Sequence, residues 1–296
     1  MKNIVLIATL SVITLSVHAQ TTVKKPLNKR AQATPHAPIP FGKEAFQKSE
    51  QTVIRWMGNG GFFINSQGTT LMVDPLLKGF DMPVLFKAPI EPKDVPRLDA
   101  VLITHSDNDH YSIPTLTDLA QLTGMYHATA YVDSLMKNQG FRSTGHGIGD
   151  VFDVGKIKVT LTPADHDWQN YAPNKTRHFK KADCAGFLIR TANGTIWAEG
   201  DSKLMPEHLT MVPPDAILFD FSDNEWHFTL EGALKIASAY PDTPLLLSHW
   251  GTVDAPDFTP FNADPEVLKK LVVNPGRVVV LAPGEAYVLK PLREKQ

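Results

Sequence analysis

Between Asp99 and His110 the chain reads DAVLITHSDNDH, and its last six residues bring together His105, Asp107, Asp109 and His110. A metal ion needs several lone pairs converging on one point. A turn at the end of a buried strand can fold such close neighbours inward. Imidazole and carboxylate are suitable donors for zinc, manganese or iron. A polar loop whose Asp side chains cap the following helix would be spelled the same way, so this segment alone leaves both readings open. The pattern then recurs. His166 follows the apolar run Lys156–Leu161, Asp201 follows Thr195–Ala198, and His249 follows Leu245–Leu247. A lone histidine past a strand end usually just satisfies a hydrogen bond. Four strand ends with donors at their tips are better explained by one shared site.

The elements that must position these donors are short. Length and β-branched content predict strands over Thr52–Trp56, Gly61–Asn65, Thr70–Val73, Ala100–Thr104, Ala128–Val132, Lys156–Leu161, Cys184–Thr191, Thr195–Ala198, Ala216–Phe219, Pro244–Ser248, Arg277–Leu281 and Ala286–Lys290. Helical patterns cover Ile113–Leu122, Ser134–Gln139, Leu230–Ser238 and Pro265–Leu271, the last opened by Asp264 as N-cap with proline at the first helical position. Many strands with a few interspersed helices imply a layered α/β architecture in which helices cover sheets. No Gly/Ser or Pro linker and no fixed short repeat breaks the region, so residues 49–294 read as one domain.

With 296 residues, 43% hydrophobic and 20% charged, the chain can build a sizeable core. A formal net charge of -2 argues against a protein that coats nucleic acid, which needs an excess of cations to displace counterions. The single cysteine, Cys184, cannot form an internal disulfide.

Residues 1–19 carry Lys2, an apolar stretch from Ile4 to Val17, and small residues before a cut ahead of Gln20, which is the pattern of a secretory signal peptide. The stretch is shorter than the ~20 residues needed to span a bilayer. The expectation is a periplasmic or secreted protein with no integral membrane segment after cleavage. Residues 20–48 are rich in Lys, Thr, Ala and Pro without an apolar period, and read as a flexible leader.

The ordered set His105-x-Asp107-x-Asp109-His110, then His166, then Gly200-Asp201, then Ser248-His249-Trp250-Gly251 resembles the metallo-β-lactamase superfamily. Within it the chain looks most like the branch containing L-ascorbate-6-phosphate lactonase and the N-acyl-phosphatidylethanolamine-hydrolysing phospholipase D. Ile54–Ile64 and Leu71-Met-Val-Asp74-Pro75 add to the match, which spans roughly residues 52–290. The resemblance implies a four-layer αββα sandwich with two divalent metal ions (zinc, manganese or iron). One would be held by His105, residue 107 and His166, the other by Asp109, His110 and His249, with Asp201 bridging and Asp74 supporting the metal loops. It further implies a metal-bridging hydroxide that attacks an ester, lactone or phosphodiester, with Asp109 orienting it. His227 falls where relatives often carry a histidine near the substrate. A surface or core histidine is the plainer reading.

The chain departs from the family at two places. Position 107 is usually His, and here it is Asp. With three carboxylates, two divalent ions and one bridging hydroxide the centre is formally neutral, which favours harder ions such as manganese or iron over zinc. A weak first site with Asp107 acting as a base around a single metal is a further reading. Asn59 stands where relatives often have His. The loop after His166, Asp167 to Lys181, mixes aromatics with Lys175, Arg177, Lys180 and Lys181, which suits a small anionic substrate; a solvated loop would look the same. Trp56, Trp197, Trp226 and Trp250 read as core or pocket walls, and Cys184 as packing. Nothing in the sequence specifies an oligomeric state. The rival to the hydrolase is a non-catalytic metal-binding or scaffold protein that kept the fold.

Overall fold

Residues 32–173, 175–255, 261 and 263–292 are described by the structure, a computed structural model. Strict alternation sorts the first part of the chain onto two faces. Strands β1 (Thr52–Gly58), β2 (Gly61–Ser66), β3 (Thr69–Val73) and β4 (Leu98–Ile103) send Ile54, Trp56, Phe62, Ile64, Leu71, Val73, Ala100 and Leu102 into one apolar cluster. The intervening Phe63, Met72, Val101 and Ile103 enter another. Side chains of a strand point alternately to opposite faces, so both faces of this sheet are buried.

The outer face is covered by α1 (Ile113–Leu119) and α2 (Ala130–Asn138), through Leu116, Leu119, Val132 and Met136. The inner face meets a second sheet, whose other side is covered by α3 (Leu230–Ala239) and α4 (Pro265–Leu271). The four layers are those of an αββα sandwich. Among the described residues the first sheet has the order β14-β1-β2-β3-β4-β5-β6 and the second β13-β12-β11-β10-β9-β8-β7. The remaining strands are β5 (Thr123–Thr129), β6 (Ser143–His146), β7 (Val151–Val154), β8 (Ile157–Pro163), β9 (Ala185–Thr191), β10 (Gly194–Ala198), β11 (Ala216–Asp220), β12 (Leu245–Ser248), β13 (Val278–Val279) and β14 (Ala286–Val288).

Parallel register is what gathers the donors. β3 and β4 run parallel with Val73 opposite Leu102, β10 and β11 with Ala198 opposite Leu218, and β11 and β12 with Asp220 opposite Ser248. Their C-terminal ends therefore reach the same edge, where ligands of open α/β sheets usually bind. Ala185 N–H donates to Thr104 O at 3.0 Å and ties the two sheets together at that edge.

Several elements differ from the sequence reading. Ala128–Val132, expected as a strand, is the junction of β5 and α2. Thr129 turns the chain, because its hydroxyl accepts the Val132 N–H and caps the helix. β6 and β7 escaped notice because their sequences, STGH and VFDV, are short and lie at sheet edges. Of Arg277–Leu281 just Val278 and Val279 pair, with Leu245 and Leu246. The leader expected over 20–48 is docked over its described part. Ile39 N–H donates to Pro283 O, Phe41 N–H to Pro89 O, and the Phe41 ring lies 5.4 Å from that of Phe63. Phe46 packs on the Phe63 ring at 4.7 Å, so two isolated aromatics anchor this segment, which no periodicity could reveal. The signal peptide expected over residues 1–19 lies outside the described residues.

Candidate metal centre

The loop after β4 is a tight turn in which the N–H groups of His110 and Tyr111 both donate to Asp107 O. This turn folds the four donors of the opening segment toward one point. One group of side chains comprises Asp109, His110, Asp201 and His249; a second comprises His105, Asp107 and His166. Within each, the donor atoms lie within 4.8 Å of one another. Asp201 stands between the groups. Its Oδ2 lies 3.0 Å from His110 Nε2, 3.3 Å from His249 Nε2, 3.7 Å from His105 Nε2 and 4.0 Å from His166 Nε2. Asp107 Oδ2 lies 3.1 Å from His166 Nε2 and 3.3 Å from His105 Nε2. The two proposed ligand sets are thus brought together, sharing Asp201.

Hydrogen bonds hold the imidazoles with Nε2 inward. His110 Nδ1 donates to Asp74 Oδ2 at 2.9 Å, and His166 Nδ1 to Trp226 O at 2.9 Å. Thr104 donates its N–H and its hydroxyl to Asp74, and His105 Nδ1 then donates to Thr104 Oγ1 at 2.9 Å. Asp74 supports the metal loops as expected. A ring tied through Nδ1 in this way is held with Nε2 directed at the centre, where it can offer a lone pair once its proton is displaced. His105 Nε2 is buried without a hydrogen-bond partner. Such an atom would be costly unless something binds it. Asp74, Asn59 and His249 also sit at positive φ, 42°, 47° and 60°, a strained backbone that clusters at functional sites.

The electrostatics agree. Burial works to raise the Asp109 carboxyl, but His110 and His249 outweigh it and hold its pKa at about 2. Burial likewise opposes the charge on Asp201 and Asp107, and the facing imidazoles again depress both. Burial lowers His166, yet Asp107 and Asp201 win and lift it to about 9. Among the described residues no Lys or Arg pairs with these three carboxylates. A concentration of buried acids and inward nitrogens with no resident cation is what divalent ions neutralise. The donors fit divalent metal binding.

Residues flanking the ligands also come into place. Asn59, which stands where relatives often have His, donates to Asp109 Oδ2 at 3.0 Å and orients that carboxylate. Trp168 Nε1 and Gln169 Nε2 each donate to Asp107, one to each oxygen. His227 is buried at the centre, with Nε2 3.8 Å from Asp201 Oδ2. Asp220, which holds its other nitrogen, was not singled out from sequence. It ends the apolar strand AILFD, the same signal that marked Asp201 and His249. Trp56 and Trp250 stack at 5.8 Å in the core. Cys184 is buried and its thiol pushed up to about 12, so it packs rather than ionises.

A cleft of about 330 Å³ opens onto the centre and is walled by Phe80, Met82, Trp168, Trp226 and Phe261, with Asp81 at its rim. The cations of the 167–181 loop do not line it. Arg177 pairs with Asp183 at 2.7 Å and lies over the Tyr131 ring, Lys181 pairs with Asp165 at 2.8 Å, and Lys175 donates to Asn170 O.

A family model described as the beta-lactamase superfamily domain matches residues 69–250. The chain belongs to the metallo-β-lactamase superfamily. A metal-dependent hydrolase of Pyrococcus abyssi is 27% identical over 248 residues, covering 80% of this chain and 99% of the relative. One from Methanopyrus kandleri is 27% identical, covering 79% and 98%. Among solved structures, a metallo hydrolase from Ignicoccus hospitalis shares the fold with TM-score 0.65 and 20% identity over 81% of this chain and 99% of that one. A possible metal-dependent hydrolase from Veillonella parvula does so with TM-score 0.66 and 18% identity, over 81% and 100%.

Proposed function

We propose that this metal-dependent hydrolase of the superfamily holds two divalent ions and cleaves a small neutral ester or lactone carrying apolar groups. The observation that carries the reading is the convergence of His105, Asp107, Asp109, His110, His166, Asp201 and His249, among them a buried imidazole nitrogen, His105 Nε2, that makes no hydrogen bond. When bound, the ions supply a water that loses its proton near neutral pH and polarise the bond under attack. Asp109, held by Asn59, orients the nucleophile and accepts its hydrogen bond. Trp168, Trp226 and Phe261 exclude water and seat the apolar part of the substrate. Because Lys175, Arg177 and Lys181 are committed elsewhere and none of the loop cations lines the cleft, it favours a neutral ligand over an anionic one. A phosphodiester is the less favoured bond. The Ser-His-Trp-Gly end supports a place near the lactonase branch, and the N-terminal apolar stretch supports export to the periplasm or beyond. No helix among the described residues is long and apolar enough to cross a membrane.

The test is elemental analysis of the purified chain, followed by turnover of p-nitrophenyl esters, a lactone series and bis-p-nitrophenyl phosphate. Metal-dependent hydrolysis of esters or lactones that Trp168→Ala weakens through KM is expected. Bound metal with no turnover across that set would favour the scaffold reading.

A further inference from the structure

The departure at position 107 raises a question of donors. The first metal group has two imidazoles, His105 and His166, and a carboxylate whose oxygens are already engaged by Trp168 and Gln169. A hydrogen bond to a carboxylate oxygen draws off electron density and makes it a weaker ligand. This group is an imidazole short of the family's usual set.

A third imidazole stands within reach. The donor atoms of His166, Asp201 and His227 lie within 4.8 Å of one another. His227 has the same arrangement as the other inward histidines, with Nδ1 donating to Asp220 Oδ2 at 2.6 Å and Nε2 facing the centre. A carboxylate behind the ring is the usual partner of a metal-bound imidazole. Asp220 is itself buried and steadied by the Ser222 hydroxyl at 3.2 Å. The turn that presents the ring is stiff: Trp226 N–H donates to Asn224 Oδ1 at 2.9 Å and His227 N–H to Asn224 O at 3.2 Å.

We infer that His227, positioned by Asp220, is a ligand of the metal ion bound by His105 and His166, supplying the imidazole that position 107 lacks. The inference rests on the two-ion reading above. It makes the first site richer in nitrogen than Asp107 alone suggests, and so better suited to zinc.

Wild type, His227→Ala, His227→Asn and Asp220→Asn should be compared by metal content after dialysis and by titration with cobalt(II), read through its visible absorption. Circular dichroism and thermal melting check that each variant folds. Wild type is expected to take two ions. The His227 variants should keep one and bind the other at least tenfold more weakly, with an altered cobalt spectrum. Asp220→Asn should weaken the same ion roughly 10–100-fold. Two ions bound with unchanged affinity and spectrum in folded His227 variants would overturn the inference and leave the two-ion reading standing. A single wild-type ion that His227→Ala retains unchanged would also overturn it. Failure of wild type to bind any ion would overturn both.

Discussion

Asp74 Oδ2 accepts a hydrogen bond from His110 Nδ1 at 2.9 Å, while the same side chain takes the N–H and hydroxyl of Thr104, whose oxygen in turn receives His105 Nδ1. One buried carboxylate at the end of β3 thereby orients a ligand of each metal group. Asp74→Asn keeps the shape but loses an acceptor. It should lower the affinity for both ions by roughly 10–100-fold, measured by competition with a chromophoric chelator. Unchanged affinity would show that Asp74 is a turn residue only.

Gly60 is constrained by the site. A Cβ there would lie 2.5 Å from His110 Cε1, and the His110 ring is boxed in by Asp74 and Asp201. Gly60→Ala should displace His110, weaken metal binding at least tenfold and lower the melting temperature of the metal-free protein, because the boxed-in ring must give up its buried partners. Isothermal titration with zinc or manganese checks this.

Metal uptake should compete with protons. Burial disfavours the charge on His166, but Asp107 and Asp201 raise its pKa to about 9 from 6.5. Its ion pair therefore stabilises the metal-free fold fully below pH 6.5, and that contribution is lost as pH rises through about 9. An incoming ion must displace the proton. Affinity should rise with pH over this window, and binding at pH 7 should release protons, seen as a dependence of calorimetric heat on buffer ionisation enthalpy. A pH-independent affinity would contradict the arrangement.

A second pair of histidines, remote from the centre, should tune stability at low pH. His127 Nδ1 and His146 Nε2 lie 2.9 Å apart on β5 and β6, and both rings stack on Phe152 of β7, at 4.2 and 4.1 Å. Burial first, then His146, lowers the His127 pKa from 6.5 to about 4. In that window the unfolded chain holds a proton that the native state lacks, so stability falls as pH drops from 6.5 to about 4. The loss should be on the order of 2 kcal/mol. Urea midpoints at pH 7 and pH 4.5 measure it, and His127→Leu should flatten the difference.

The convergence of the candidate ligands was legible in the sequence because each donor stands just past a run of apolar β residues, as His105, His166, Asp201 and His249 do. The many short β-branched runs with a few interspersed helices likewise announced layered sheets. Asp220 ends its strand in the same way, but a single acid at the tip of AILFD has many uses. Its partner, His227, is seven residues away across a turn. The Phe41 and Phe46 anchors were hidden for a related reason. Isolated aromatics in a proline-rich segment have no period to reveal which surface they meet.

Local chemistry determined the donor set, the strand character of the flanking runs and the caps at Ser112, Thr229 and Asp264, because each depends on neighbours a few residues apart. Only the tertiary structure decided which donors converge, that the loop cations do not line the cleft, and that Trp168 and Gln169 reach Asp107. Those outcomes depend on parallel strand register and on side chains separated by about sixty positions. They are set by packing between two sheets, which no local pattern of residues encodes.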